Sequence, residues 1–182
     1  MLACHDLRTP LATVHGFAHT LARSADLDET SARYLEMIGA ASGQIGELID
    51  QLSVVARLQA GRYDPLRRPV DTLELARSAA ETLGAERVGV AGDGAEVELD
   101  ADATERAVAA LVRCALRHGG LERVEVEVRA AELTVAPITP ASAPVVLGDD
   151  LRDLGAAVAV RLVRAQGGDV AVEDETLRVR LA

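Results

Sequence analysis

The residues best able to do chemistry stand at the start of the chain, in the segment His5-Asp6-Leu7-Arg8-Thr9-Pro10-Leu11. A neutral imidazole is well populated near pH 7. Its attack on a phosphoryl donor gives a phosphoramidate that readily passes the group on. Asp6, beside His5, can orient the ring or accept a proton. His15 and His19 stand four apart, a spacing that puts both on one helical face and could hold a metal, but no third ligand stands near them. They are read instead as solvated surface or partner-docking residues, with Arg8 on the same outward face as His5, and no metal is expected.

The flanking pattern supplies a scaffold for this segment. Cys4, Leu7, Leu11, Val14, Ala18 and Leu21 repeat in steps of three and four, one narrow apolar seam on a helix. His5 falls one position off the seam, which predicts a solvent-accessible imidazole while Cys4 and Leu7 pack inward. Pro10 has no N–H and crowds the preceding turn, so it either bends this helix near His5 or marks its first turn. Ser24-Ala25-Asp26-Leu27-Asp28 breaks the pattern, and Asp28 can cap a second helix. That helix carries Tyr34, Ile38, Ala41, Ile45, Leu48, Leu52 and Val55 on a second seam and ends near Gly61. A short loop makes the two helices antiparallel neighbours. Their apolar surface is too large for a lone hairpin, so a homodimer forming a four-helix bundle is expected.

Composition narrows the classes of function. The 182 residues carry a formal charge of −10, which opposes binding to a nucleic-acid backbone. Phe17, Tyr34 and Tyr63 are the aromatic residues, so the core must be built from Ala, Leu and Val. Cys4 and Cys114 lack zinc-ligand spacing and make no disulfide framework, which favours a reducing, cytoplasmic location. No apolar run approaches the roughly 20 residues of a membrane span, and no signal peptide is evident.

Composition changes after Arg62, where Pro65 and Pro69 flank a polar linker, giving expected domains at 1–62 and 66–182. The second region predicts strands near Arg68–Val70, Arg87–Val90, Glu96–Leu99, Arg123–Arg129, Glu132–Val135, Asp169–Glu173 and Thr176–Leu181. Helices are expected over Thr72–Leu83, capped by Asp71, and over Ala101–His118 and Leu151–Gln166. A proline-bearing loop fills Ala136–Leu147. The whole is an α+β chain, a helical hairpin followed by an α/β sandwich with mostly antiparallel strands.

His5 to Leu11 resembles the H box of two-component histidine kinases, H-[ED]-x-[RK]-[TN]-P-L, at every defined position. The likeness extends through Tyr34-Leu35, Ile49-Asp50-Gln51-Leu52 and Arg57-Leu58-Gln59-Ala60-Gly61-Arg62. It implies a dimerisation and phosphotransfer domain followed by a sandwich similar to the family's ATP-binding domain. By this resemblance His5 is the phosphoacceptor, Asp6 its acidic partner, and Thr9 the position that places water for dephosphorylating a response regulator. The regulator's receiver domain would dock just past His5, where His15 and His19 lie.

The family's nucleotide boxes are altered. Asp100–His118 resembles the N box, with Ala115, Arg117 and His118 matching its ending, yet Ala110 and Cys114 stand where asparagines are expected. Neither replaces an amide oxygen on a hard cation. Leu133-Thr134-Val135-Ala136-Pro137-Ile138-Thr139-Pro140 lacks the aspartate and glycines of the G1 box. Asp153-Leu154-Gly155-Ala156 keeps Gly155 but puts the Asp153 carboxylate where a triphosphate would sit, and the intervening lid is short. Cys114 is most simply a core residue, and His118 suits the end of its helix. The expectation is a phosphotransferase or pseudokinase that takes phosphate on His5 from a phosphorylated regulator or an upstream kinase, with no cofactor. ATP and magnesium enter under the alternative, an autokinase with divergent boxes; a third reading is a non-catalytic dimeric adaptor.

Overall fold

The computed structural model describes the backbone of residues 2–23 and 27–182 and the side chains of residues 7–23 and 27–182. The chain divides into two compact units, Met1–Gln59 and Ala60–Ala182. Among the described residues no helix is long and apolar enough to cross a membrane.

The first unit is a hairpin of α1 (Leu2–Ala22) and α2 (Glu29–Gln59), and Pro10 lies inside α1 rather than at its first turn. The connecting residues Ser24–Asp26 lie outside the described residues. Asp28 caps α2 as its position predicts, accepting from the Ser31 N–H at 2.9 Å and the Ser31 hydroxyl at 2.6 Å. These bonds favour the ionised carboxylate and hold its pKa below the ordinary value.

Small residues make up much of the line along which the two helices meet. Ala18, Ser42 and Ile49 are buried, and a Leu11 methyl lies over Gly46. The expected seams turn the other way. Leu7, Val14 and Leu21 of α1 and Tyr34, Ile38, Ile45, Leu48 and Leu52 of α2 are exposed on the single hairpin. Among the described residues of the first seam, only Ala18 is buried. Small residues let the helices approach closely and leave the large ones outside, which is why one hairpin cannot bury its own apolar stripe.

The second unit begins with β1 (Arg68–Asp71), which pairs antiparallel with β3 (Glu96–Leu99) in a small separate sheet. The main sheet runs β2 (Val88–Gly94), β4 (Val124–Ala130), β5 (Glu132–Ala136), β7 (Thr176–Arg180), β6 (Asp169–Glu173) in spatial order. Only β2 and β4 are parallel; the other neighbours are antiparallel. Gly92 belongs to the parallel pair because a Cβ there would collide with the Val128 backbone, and its φ of +117° suits glycine. Alternation gives the sheet one apolar face: Val124, Val126, Val128, Leu133, Val135, Leu177 and Val179 are buried, while Glu125, Glu127 and Arg178 face solvent.

Three helices complete the core: α3 (Thr72–Glu81), α4 (Ala101–Gly119) and α6 (Leu154–Ala165). Aspartates start each of them. Asp71 accepts from Leu73 and Glu74, Asp100 from Ala103, and Asp153 from Ala156. The helix expected from Leu151 therefore begins three residues later, because Asp153 adopts the extended backbone of a cap. A short helix, α5 (Ala143–Val146), stands inside the stretch expected to be loop, and its Val145 and Val146 are fully buried.

Gln166 ties the end of α6 to the start of α4. Its side-chain oxygen accepts from the Asp100 N–H at 2.9 Å, its amide donates to the Thr104 hydroxyl at 3.1 Å, and its backbone carbonyl accepts from Arg67. The residue is 6% exposed. Truncating it strands partners away from water, at about 1–3 kcal/mol. Gln166→Ala is expected to lower unfolding free energy by about 2 kcal/mol in urea titration, with α4 content unchanged in the native baseline.

Candidate functional site

His5 and Asp6 lie on α1, two turns from its start at most, with Pro10 in the same helix. Their side chains, the access expected for the imidazole and the inward packing of Cys4 fall outside the described residues. From Leu7 onward the surroundings are defined. Arg8, three positions after His5, forms an ion pair with Asp50 of α2. Both side chains are more than half exposed, so the pair adds little to stability, yet it orients the guanidinium across the hairpin rather than straight out. Thr9 is exposed, and its carbonyl accepts from the Thr13 hydroxyl at 3.1 Å.

His15 also leans toward α2, which alters the expectation of a purely outward face. Its Nδ1 lies 3.0 Å from the buried Ser42 hydroxyl, and that hydroxyl donates to the Gly39 carbonyl at 2.9 Å. With the serine's one hydroxyl hydrogen given to the Gly39 carbonyl, Nδ1 of His15 is the donor in this contact. The His19 ring lies 6.4 Å from that of His15, tilted by 34°. Both imidazoles and Arg8 are carried by α1.

The altered residues of the second unit converge in the fold. Ala110 and Cys114 lie on α4, Cys114 completely buried. Asp153 and Gly155 begin α6. One Asp153 oxygen accepts the Ala156 N–H at 3.0 Å, and the other lies 3.4 Å from Nε2 of His118. The angle does not make the second contact a hydrogen bond, and His118 Nε2 is buried without such a partner. Burial, and secondarily the Asp153 charge, push the Cys114 thiol up to about 12.

The stretch expected to have lost the G1 features is folded onto itself. Ile138 is buried. The Thr139 and Ser142 backbone N–H groups donate to each other's side-chain oxygens at 3.1 and 3.2 Å, and the Ser142 hydroxyl bonds the Thr139 carbonyl. Polar groups that could meet a ligand are thereby satisfied internally. Asp153 opposes phosphate by its place in the sequence alone, whereas its contact with His118 joins residues 35 positions apart and has no local signal.

Residues 3–61 match the His Kinase A (phospho-acceptor) domain. The chain is 38% identical over 78 residues to the probable sensor histidine kinase TcrY of Mycobacterium tuberculosis, covering 42% of this chain and 16% of that protein. It is 31% identical over 141 residues to the sensor histidine kinase MtrB of Mycolicibacterium paratuberculosis, covering 72% of this chain and 25% of that protein. The chain thus spans a quarter or less of these relatives' length. Among solved structures, full-length ShkA in complex with AMPPNP shares the fold with a TM-score of 0.75 at 20% identity, over 98% of this chain and 43% of that one. The Acinetobacter baumannii histidine kinase AdeS does so with a TM-score of 0.62 at 14% identity, over 98% and 97% of the two chains.

The Cys114 environment has a direct chemical consequence. Moving a thiol from an ordinary 9.0 to about 12 reduces its thiolate a thousandfold at any pH below both values. In a Cys4→Ser background, a disulfide exchange reagent at pH 8 is expected to label native Cys114 at least about a thousandfold more slowly than an exposed thiol, and rapidly after denaturation.

Proposed function

The chain belongs to the two-component histidine kinase family, and we propose that it carries a phosphoryl group on His5 and exchanges it with an aspartate of a response-regulator receiver domain, without binding ATP. In the loading step the unprotonated nitrogen of His5 attacks the phosphorus of an aspartyl phosphate. The N–P bond forms as the bond from phosphorus to the aspartate oxygen breaks, the aspartate leaves as a carboxylate, and the other ring nitrogen gives up its proton. The reverse path loads a regulator. Asp6 serves as the acidic partner of the ring, Thr9 positions water for regulator dephosphorylation, and Arg8, His15 and His19 form part of the docking surface.

One observation carries the ATP-independent part of the reading: Asp153 occupies the N-terminus of α6 with its own carboxylate. A helix N-terminus is a ready anion site because its first N–H groups have no partner inside the helix. Here one of those N–H groups is already bonded, and the carboxylate's charge opposes a triphosphate. The buried Val145 and Val146 and the self-satisfied turn at Thr139 and Ser142 support the same reading. The names of the relatives favour a second one, an ATP-dependent autokinase. The exposed seam residues Ile45, Leu48 and Leu52 support a homodimer, since pairing two hairpins removes them from water.

A phosphorylated receiver domain separates transfer from a non-catalytic adaptor role. Incubated with the full chain, labelled receivers are expected to give acid-labile, base-stable label on wild type and none on His5→Gln. Absence of transfer across a broad receiver panel, or label that persists in His5→Gln, would count against the proposal.

A further inference from the structure

Cys114 and His118 stand four residues apart on α4, so their side chains leave the same face of the helix. That face meets the start of α6, where Asp153 commits Oδ1 to the Ala156 N–H and directs Oδ2 at His118. One ligand atom from each of the three residues, a sulfur, a ring nitrogen and a carboxylate oxygen, lies within 4.8 Å of the other two. On a tetrahedral zinc ion with bonds of about 2.0–2.3 Å, such atoms sit roughly 3.3–3.8 Å apart, a difference that side-chain rotation can close. The trio also contains an unmet polar group, since His118 Nε2 is buried without a hydrogen-bond partner.

Access and charge suit a cation. Cys114 forms the closed floor, while the His118 and Asp153 side chains are 15% and 17% exposed and open toward solvent. Arg117 and Arg152 favour the thiolate while Asp153 opposes it, and Asp150 lies within electrostatic range of His118. A donor set of sulfur, imidazole and one carboxylate suits zinc-class ions and not the all-oxygen shells of magnesium or calcium.

We propose that Cys114, His118 and Asp153 bind a thiophilic divalent cation of the zinc class, joining α4 to α6, with the fourth position left to water or another donor. Binding forms a metal–sulfur bond as the thiol proton passes to the buffer, and nothing is oxidised or reduced. A coordinated thiol is held deprotonated by the ion itself, which reverses the preference that burial gives the free group. The site goes beyond phosphate exchange at His5 and does not rest on it. Metal uptake is read without nucleotide or receiver, so either proposal can fail alone.

The test is cobalt titration of the reduced, chelator-treated full chain. Wild type is expected to develop a thiolate-to-cobalt charge-transfer band that saturates at one ion per chain and is displaced by zinc. The band is lost in Cys114→Ser and retained in Cys4→Ser. Affinity falls at least about tenfold in His118→Gln and in Asp153→Asn, whose amide oxygen can still cap α6. Zinc at a hundredfold excess over Kd raises the wild-type Tm by about 10 °C and leaves that of Cys114→Ser unchanged, with circular dichroism verifying its fold. No charge-transfer band in wild type, a band that survives Cys114→Ser, or unchanged affinity in His118→Gln overturns the proposal.

Discussion

The N-terminus of α6 leaves backbone N–H groups with no partner inside the helix, and what satisfies them decides what the second unit can bind. In this chain Asp153 does so, accepting from Ala156 at 3.0 Å. The same carboxylate faces His118 at 3.4 Å and adds to the burial that keeps Cys114 protonated. Much of the altered chemistry of the unit follows from that single placement. A negative charge fixed inside a mostly buried corner disfavours a second anion there, and it favours a cation.

The sheet and its three helices are kept intact around this corner. Valines on β4 and the small buried residues of α4 allow close helix–sheet packing, and Gln166 joins the two helices at the opposite end of α4. Fold and ligand chemistry can thus be carried by different residues. The hairpin shows a related division of labour. Small residues set the distance between α1 and α2, and the large apolar residues are left for another surface.

Much of this was legible in the residues. The His5–Leu11 box is a local string, so it needs no tertiary knowledge to find. Asp28 and Asp71 each announce a helix because capping depends on residues only two or three positions away. The unread parts depend on distance in sequence or on competition between signals. α5 was hidden by the prolines of its loop, since Pro144 reads as a breaker although it is tolerated in a first helical turn. The helix expected from Leu151 starts at Leu154 because the Asp153 side chain reaches the Ala156 N–H. The direction of the seams could not be read from periodicity, which locates a stripe but not the partner that covers it. Neither could the Ser42 contact of His15, made across the hairpin.

We propose that this second unit has closed its nucleotide site with its own side chains, so that phosphate on His5 comes from another protein. Calorimetric titration of the full chain with magnesium–ATP tests it most directly. The account predicts no saturable binding up to about millimolar nucleotide, an affinity no stronger than roughly −4 kcal/mol. Saturable micromolar binding, accompanied by acid-labile label on His5 from ATP alone, would contradict it.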